Sequence, residues 1–161
     1  MELRPATATD LPAIKAIYDV QVREGIATFD VEPPPLDYWE HRLTSTEPGD
    51  RMLVADDGAV LGYAYSSSYR PRPAYRNTRE TSIYLAPDAQ GRGLGRTLYG
   101  ELLTGLRADG MHLALAVVAL PNPASQALHR ACGFTRTGVL HEVGHKFGRW
   151  IDTEWWELRL T

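Results

Sequence analysis

Cysteine occurs once in the 161 residues, at Cys132, so no disulfide within the chain holds the fold together. A surplus of one charge is missing too. Seventeen Lys+Arg against 20 Asp+Glu leave a net charge of −3, spread along the chain, which excludes the basic stripe that grips nucleic acid or an anionic membrane. Long apolar runs are equally scarce. The longest, Leu113 to Leu120, ends at Pro121 and falls far short of the ~20 residues that cross a bilayer. Glu2, Arg4 and Asp10 interrupt the stretch where a secretory signal needs unbroken apolar residues, so the sequence predicts a cytoplasmic protein. Repeats, linkers and low-complexity tracts are absent. What remains is 43% hydrophobic and 23% charged, with 14 Gly and 11 Pro: one globular domain over residues 1–161. A chain of this length buries about 70% of its unfolded surface without staples. Its expected ligand is small.

Hydrophobic spacing and punctuation divide the chain into elements. Glu2 to Ala6 reads as a strand, and Leu11, Ile14, Ile17, Tyr18 and Val22 as a helix, capped at Thr9 or Asp10 and stopped at Gly25. Leu36, Trp39 and Leu43 form one face of a second helix over 36–43. Arg51 to Ala55 and Val60 to Tyr69 are strands joined by Asp57-Gly58, a strong hairpin signal. Thr78 to Leu85 is a strand; a glycine-rich turn then opens a helix with Leu98, Leu102, Leu103 and Leu106. His112 to Leu120 is apolar almost throughout, as in a strand buried on both faces. Asn122-Pro123 starts a short helix through Ala131, and two strands, Thr135 to Val143 and Trp150 to Leu160, flank a final loop. The order βααβββαβαββ predicts a mixed sheet covered by helices.

The most informative segment is the strand 78–85 followed by Gln90-Gly91-Arg92-Gly93-Leu94-Gly95-Arg96 and a helix. Glycines there let backbone N–H groups approach a pyrophosphate at the positive helix end, and Arg92 and Arg96 add charge. A P-loop would need Gly-Lys-Ser/Thr, and a dinucleotide fingerprint would need glycine where Arg96 stands. An ordinary glycine-rich turn is the plain alternative. Gln-x-x-Gly-x-Gly resembles the coenzyme A loop of the GNAT N-acetyltransferases. Asn122-Pro-Ala-Ser125, Leu128-His129 and Gly133-Phe134 resemble that family's second motif, and the element order is similar throughout. Glu80 to Leu85, Arg72-Pro-Ala-Tyr75, Thr28-Phe29 and Gly148-Arg-Trp150-Ile-Asp152 are similar to the branch acting on phosphinothricin and methionine sulfoximine.

The resemblance implies the GNAT fold, a mixed, mostly antiparallel sheet flanked by helices in the α/β (α+β) class. It implies acetyl-CoA as co-substrate, a small amine as acceptor, no metal and a homodimer. Coenzyme contacts are then expected from Tyr84, Leu85, Gln90, Gly91, Arg92, Gly93, Leu94, Gly95, Arg96, Asn122 and Ser125. Asn122 serves equally as a helix cap. Alternation along the strand puts Thr78, Glu80, Ser82 and Tyr84 on one polar face, where a carboxylate is placed to take a proton from an ammonium. Glu80 also matches the family's catalytic glutamate. Many members carry Tyr where this chain has His129, which leaves His129 open between proton donor and coenzyme or core contact. Arg70 and Arg72, in a proline-restricted loop, suit an amino acid's carboxylate, and Phe29 and Tyr75 would wall the acceptor.

Two rival readings remain. His141-Glu-Val-Gly-His145 matches the zinc-protease pattern His-Glu-x-x-His, but position 151, where a third ligand belongs, is Ile, and Gly138 and Gly144 oppose a helix. A coenzyme A sensor without turnover is the second, against which the retention of Glu80 weighs. Cys132, beside Gly133, reads as a small apolar filler.

Overall fold

The computed structural model describes residues 1–161. Seven strands form one sheet in the order β1-β2-β3-β4-β5-β7-β6. β1 (Glu2–Pro5), β2 (Arg51–Asp56), β3 (Val60–Ser68) and β4 (Thr78–Leu85) pair antiparallel in succession. β4 and β5 (Leu113–Ala119) are parallel, and β7 (Arg149–Arg159) pairs antiparallel with both β5 and β6 (Thr135–Lys146). The sheet is therefore mixed and mostly antiparallel, as expected.

Two cores lie on its opposite faces. On one, Ile14, Tyr18 and Val22 of α1 (Leu11–Glu24) and Trp39 of α2 (Leu36–Leu43) pack against Met52, Val54, Tyr63 and Tyr65. On the other, Leu98, Leu102 and Leu106 of α3 (Leu94–Ala108) meet Leu53, Ala64, Ala114, Ala116 and Trp156. Each large side chain so buried contributes about 1.5–3 kcal/mol. α4 (Pro123–Ala131) joins the α3 side through Leu128. No helix is long and apolar enough to cross a membrane.

Three local readings need correction. β5 is not buried on both faces: Ala114, Ala116 and Val118 are core, whereas Leu115 and Val117 are half-exposed. Their apolar face is left open beside the functional cleft. Helix α1 starts from Asp10, one of the two caps expected, but a short 3₁₀ turn, Ala8–Asp10, precedes it with Thr7 as its own cap. The Asp10 carboxylate accepts from the Thr7 N–H at 2.7 Å and closes that added turn.

The last two strands also run further than predicted. Phe147 and Gly148, at φ 53° and 70°, make a tight turn in place of a loop. Register jumps from Leu140↔Thr153 to Gly144↔Ile151, leaving His141–Val143 as a bulge opposite Asp152. Glu142 takes φ 54°, and its N–H donates to Asp152 Oδ1 at 2.7 Å. His141 and His145 thus sit on a bulged strand, not on the helix that the zinc-protease chemistry requires.

Candidate active site

Strands β4 and β5 share three register pairs, Thr78↔Leu113, Arg79↔Ala114 and Glu80↔Leu115, and then part. Beyond that point β4 continues to Leu85 bonded only to β3, and β5 continues to Ala119 bonded only to β7. A cleft of about 640 Å³ opens between the diverging edges. Its walls include Thr81–Leu85 on one side, Val117–Ala119 on the other, and Asn122, Ser125 and Leu128 of α4. Strand edges facing such a gap carry backbone N–H and C=O groups without a strand partner, ready to bond an extended amide chain.

At the outer end of the cleft stand Gln90, Gly91, Gly93, Gly95 and Arg96. Gly91 and Gly93 adopt φ 72° and 77°, and a Cβ on either would meet nothing within 4 Å. Glycine is required there by backbone conformation, not by crowding. Gly93 caps α3, so the first N–H groups of that helix, which have no intrahelical acceptor, point outward at the positive helix end. Gly95 instead lies 3.5 Å, measured from a would-be Cβ, from Leu85 and Leu128, seating α3 between β4 and α4. Leu94 is core, leaving only its backbone for a ligand; Arg92 is exposed outside the cleft lining. Asn122 caps α4, its Oδ1 accepting from the Ser125 N–H at 3.1 Å. These donors and the room between the edges fit the pantetheine and phosphates of coenzyme A.

Glu80 is half-buried one residue before the cleft lining begins at Thr81, on the last bridged pair before the parting. Ser67 of β3 lies opposite it, and Tyr65, opposite Ser82, lies on the same face. Burial pushes its carboxyl above the ordinary carboxylate range, and the Arg42 guanidinium partly opposes that rise. Arg42 is placed by aromatics: it spans the Tyr65 ring at 4.3 Å and donates to Tyr38 Oη at 2.7 and 3.1 Å. No carboxylate forms an ion pair with it.

His129 is buried in the cleft wall, with both ring nitrogens engaged. Nδ1 donates to the Ser125 carbonyl at 2.7 Å, so Nε2 is the acceptor, and Tyr99 Oη stands 3.3 Å from it. Tyr99 in turn lies 2.6 Å from Thr81 Oγ1. Burial lowers the imidazole's pKa below its usual value, which makes the ring neutral near pH 7.

None of the predicted acceptor residues Phe29, Arg70, Arg72 and Tyr75 is in the cleft lining. Tyr75 meets Tyr69 edge-on at 5.4 Å, and Tyr69 meets Trp155 at 6.3 Å. Trp155 pairs with Val117 of β5, so it floors the open side of the apolar strand. Arg70 lies over Tyr69, while Arg72 is exposed and without an ion pair. Phe29 comes from the loop after α1 and lies over Gly144 of β6. Sequence reasoning missed Arg42 and Trp155. A signal existed for Trp155, since alternation in Thr153-Glu-Trp-Trp156 sends the two tryptophans to opposite faces. None existed for Arg42.

The Acetyltransferase (GNAT) family model matches residues 14–134. The chain belongs to the GNAT acetyltransferase family. It is 50% identical over 147 residues to a phosphinothricin N-acetyltransferase of Alcaligenes faecalis, covering 89% of this chain and 75% of that one. An L-methionine sulfoximine/L-methionine sulfone acetyltransferase of Pseudomonas aeruginosa is 39% identical, with 98% and 94% covered. Among solved structures, a GNAT superfamily phosphinothricin acetyltransferase from Sinorhizobium meliloti in complex with AcCoA superposes with TM-score 0.93 at 43% identity, over 98% of this chain and 87% of that one. This acetyltransferase is thus related over nearly its whole length to enzymes named for small amino-acid-like substrates.

Proposed function

We propose that this GNAT acetyltransferase moves the acetyl group of acetyl-CoA to the α-amine of a small amino-acid-like acceptor of the phosphinothricin, methionine sulfoximine or methionine sulfone type. The observation that carries this reading is the parting of β4 and β5 immediately after Glu80. One cleft runs from the glycine loop to Thr81, the residue after Glu80, and in this reading the Tyr69, Tyr75 and Trp155 cluster takes the acceptor beyond it.

Coenzyme A would be held by the N–H groups of Gly91 to Arg96, by Arg96, by the open edges of β4 and β5 through Tyr84 and Leu85, and by Asn122 and Ser125. When bound it supplies an acetyl thioester. The acceptor's amine attacks the carbonyl carbon directly; a new C–N bond forms and the C–S bond breaks. Glu80, whose carboxyl burial raises above its ordinary value, takes the proton the amine must lose, directly or through a water. A thiol with an ordinary pKa of about 8.5 leaves as thiolate without a dedicated acid. We accordingly give His129 a place in the coenzyme wall and not the role of proton donor. Arg72, with Arg70 beside it, meets the acceptor's α-carboxylate, and Phe29, Tyr75 and Trp155 enclose its side chain.

Pairing of two copies belongs to the same reading, supported by Val143, Phe147 and Trp150, which stand more than half exposed on the β6–β7 hairpin. The test of the acceptor assignment compares kcat/KM for methionine sulfone and for its carboxamide. Loss of a charge-assisted hydrogen bond costs ~1.5–3 kcal/mol, so the amide should react about 10- to 100-fold less efficiently. Arg72→Ala should erase most of that preference at unchanged acetyl-CoA KM. Equal efficiencies in the unaltered enzyme would remove the carboxylate contact.

A further inference from the structure

Lys146 is the one lysine buried in the fold, at 3% exposure, and the transfer chemistry does not use it. It belongs to the end of β6, far along the chain from α1, yet its ammonium donates to the Gln21 carbonyl at 3.2 Å and to the Thr28 carbonyl at 2.8 Å. Neither partner is a carboxylate. Gln21 O lies in the last turn of α1, at the negative helix end, where a cation is favoured. Thr28 O belongs to the loop that carries Phe29. One ammonium therefore ties the end of α1, the Phe29 loop and the β6–β7 hairpin together.

A second contact on the same strand aims the aromatic ring. Gly144, two residues before Lys146, lies under Phe29 so closely that a Cβ there would stand 2.3 Å from Phe29 Cε2 and 2.5 Å from Cζ. The absence of a side chain at 144 makes the seat for the ring. Other bonds hold the far side of the loop: Tyr18 Oη bonds Thr28 Oγ1 at 2.6 Å and donates to Asp30 at 2.5 Å, while Tyr84 Oη reaches Ala27 O at 3.4 Å. Lys146 and Gly144 connect it to the C-terminal hairpin, the element that also carries Trp155.

We propose that Lys146 and Gly144 form a latch that positions Phe29 as a wall of the acceptor site, making Lys146 a positioning residue for acceptor affinity. The inference rests on the acceptor reading above. A buried ammonium bonded to two backbone carbonyls fixes the loop's height over the sheet, and the bare Gly144 fixes where the ring comes down. Neither bond touches the coenzyme loop from Gln90 to Arg96.

The experiment measures KM for methionine sulfone and for acetyl-CoA in Lys146→Met, Gly144→Ala, Phe29→Ala and the Lys146→Met/Phe29→Ala pair, with amide hydrogen exchange of residues 25–31 alongside. Lys146→Met should raise sulfone KM about tenfold, the loss of roughly 1.4 kcal/mol of binding, with acetyl-CoA KM moved far less and exchange in 25–31 accelerated. Gly144→Ala, which keeps the ammonium, should raise the same KM by displacing the ring. In the Phe29→Ala background Lys146→Met should add nothing further, because the wall it positions is already gone. Full additivity in the pair, or an unchanged sulfone KM in Lys146→Met, would overturn the latch. Failure of the unaltered enzyme to acetylate the sulfone at all would instead overturn the acceptor reading beneath it.

Discussion

Glu80 of β4 and Leu115 of β5 form the last bridged pair of the parallel ladder; one residue later the strands have separated and the Thr81 hydroxyl bonds the Leu115 carbonyl at 3.0 Å across the opening. That relationship places a carboxylate at the apex of the cleft, where backbone partners end and a ligand's begin. It also explains why Leu115 and Val117 keep an open apolar face. In the proposed reading they floor the acceptor basin.

Removing the basic site at Glu80 tests this placement. Glu80→Gln keeps size and hydrogen bonding, and general-base contributions run at roughly 10² to 10⁴ in rate, so kcat/KM at pH 7 should fall by that order. The deficit should shrink as pH rises toward about 8, where α-amino groups begin to lose their proton unaided. A variant as fast as the unaltered enzyme at pH 7 would make Glu80 a bystander.

Arg42 sets the lower edge of the activity range. Burial raises the Glu80 carboxyl and the Arg42 charge lowers it, while Ser67, Ser82, Thr78 and Leu115 around it carry no charge. Removing the cation in Arg42→Gln stabilises the protonated acid, so the acid limb of kcat/KM should move to higher pH. Rates well above that limb should change little. A limb that stays in place, or moves to lower pH, would show that the two groups do not communicate.

Much of this architecture is legible along the chain. Helices over 36–43 and 123–131 and the strand 78–85 have their bounds written in local punctuation: Pro35 before Leu36, Asn122-Pro123, and alternation from Thr78 to Leu85. The glycine loop was readable because positive φ at Gly91 and Gly93 is a backbone demand that sequence advertises. What was not readable depends on partners distant in sequence. The bulge at His141–Val143 exists because Asp152 accepts from the Glu142 N–H, and Arg42 acquires its place only by stacking on Tyr65 of another element. The contact of His129 Nε2 with Tyr99 likewise joins two elements that the sequence alone does not bring together.

The glycine loop makes a separable prediction. Gly93 sits at φ 77° with open space where a Cβ would go, so Gly93→Val strains the backbone without a clash. We expect a stability loss of about 1–2 kcal/mol, small against that of a core truncation, and a marked rise in acetyl-CoA KM. Unchanged coenzyme affinity in the folded variant would detach the loop from coenzyme binding.

His129 should matter for packing more than for chemistry. Replacing it with Phe keeps the contacts to Phe134 and Trp156 but strands the hydrogen-bonding groups of Ser125 and Tyr99, an effect of about 1–3 kcal/mol on unfolding. The kcat of the folded variant should stay within about threefold, whereas loss of a true general acid costs roughly 10² or more. A loss of that size at full stability would restore His129 as the donor.

Acid should loosen the N-terminal corner first. Hydrogen bonds from Arg4, at 2.7 and 2.9 Å, hold Asp10 down to about 2, against about 3.9 in an unfolded chain. Because the folded value is depressed, the stabilisation is present above pH 4 and drains away as pH falls from about 4 toward 2. Urea midpoints across that window should therefore decline less steeply in Asp10→Asn, which starts lower. Parallel curves would show that the pair contributes nothing.

The most direct measurement follows free thiol released from acetyl-CoA by the purified enzyme, with and without methionine sulfone, and identifies the product by mass. The account predicts slow release alone, rapid saturable release with the amine, and one N-acetyl-methionine sulfone formed for each thiol. Release at the same rate with and without the amine, or binding of acetyl-CoA with no release under either condition, would contradict it.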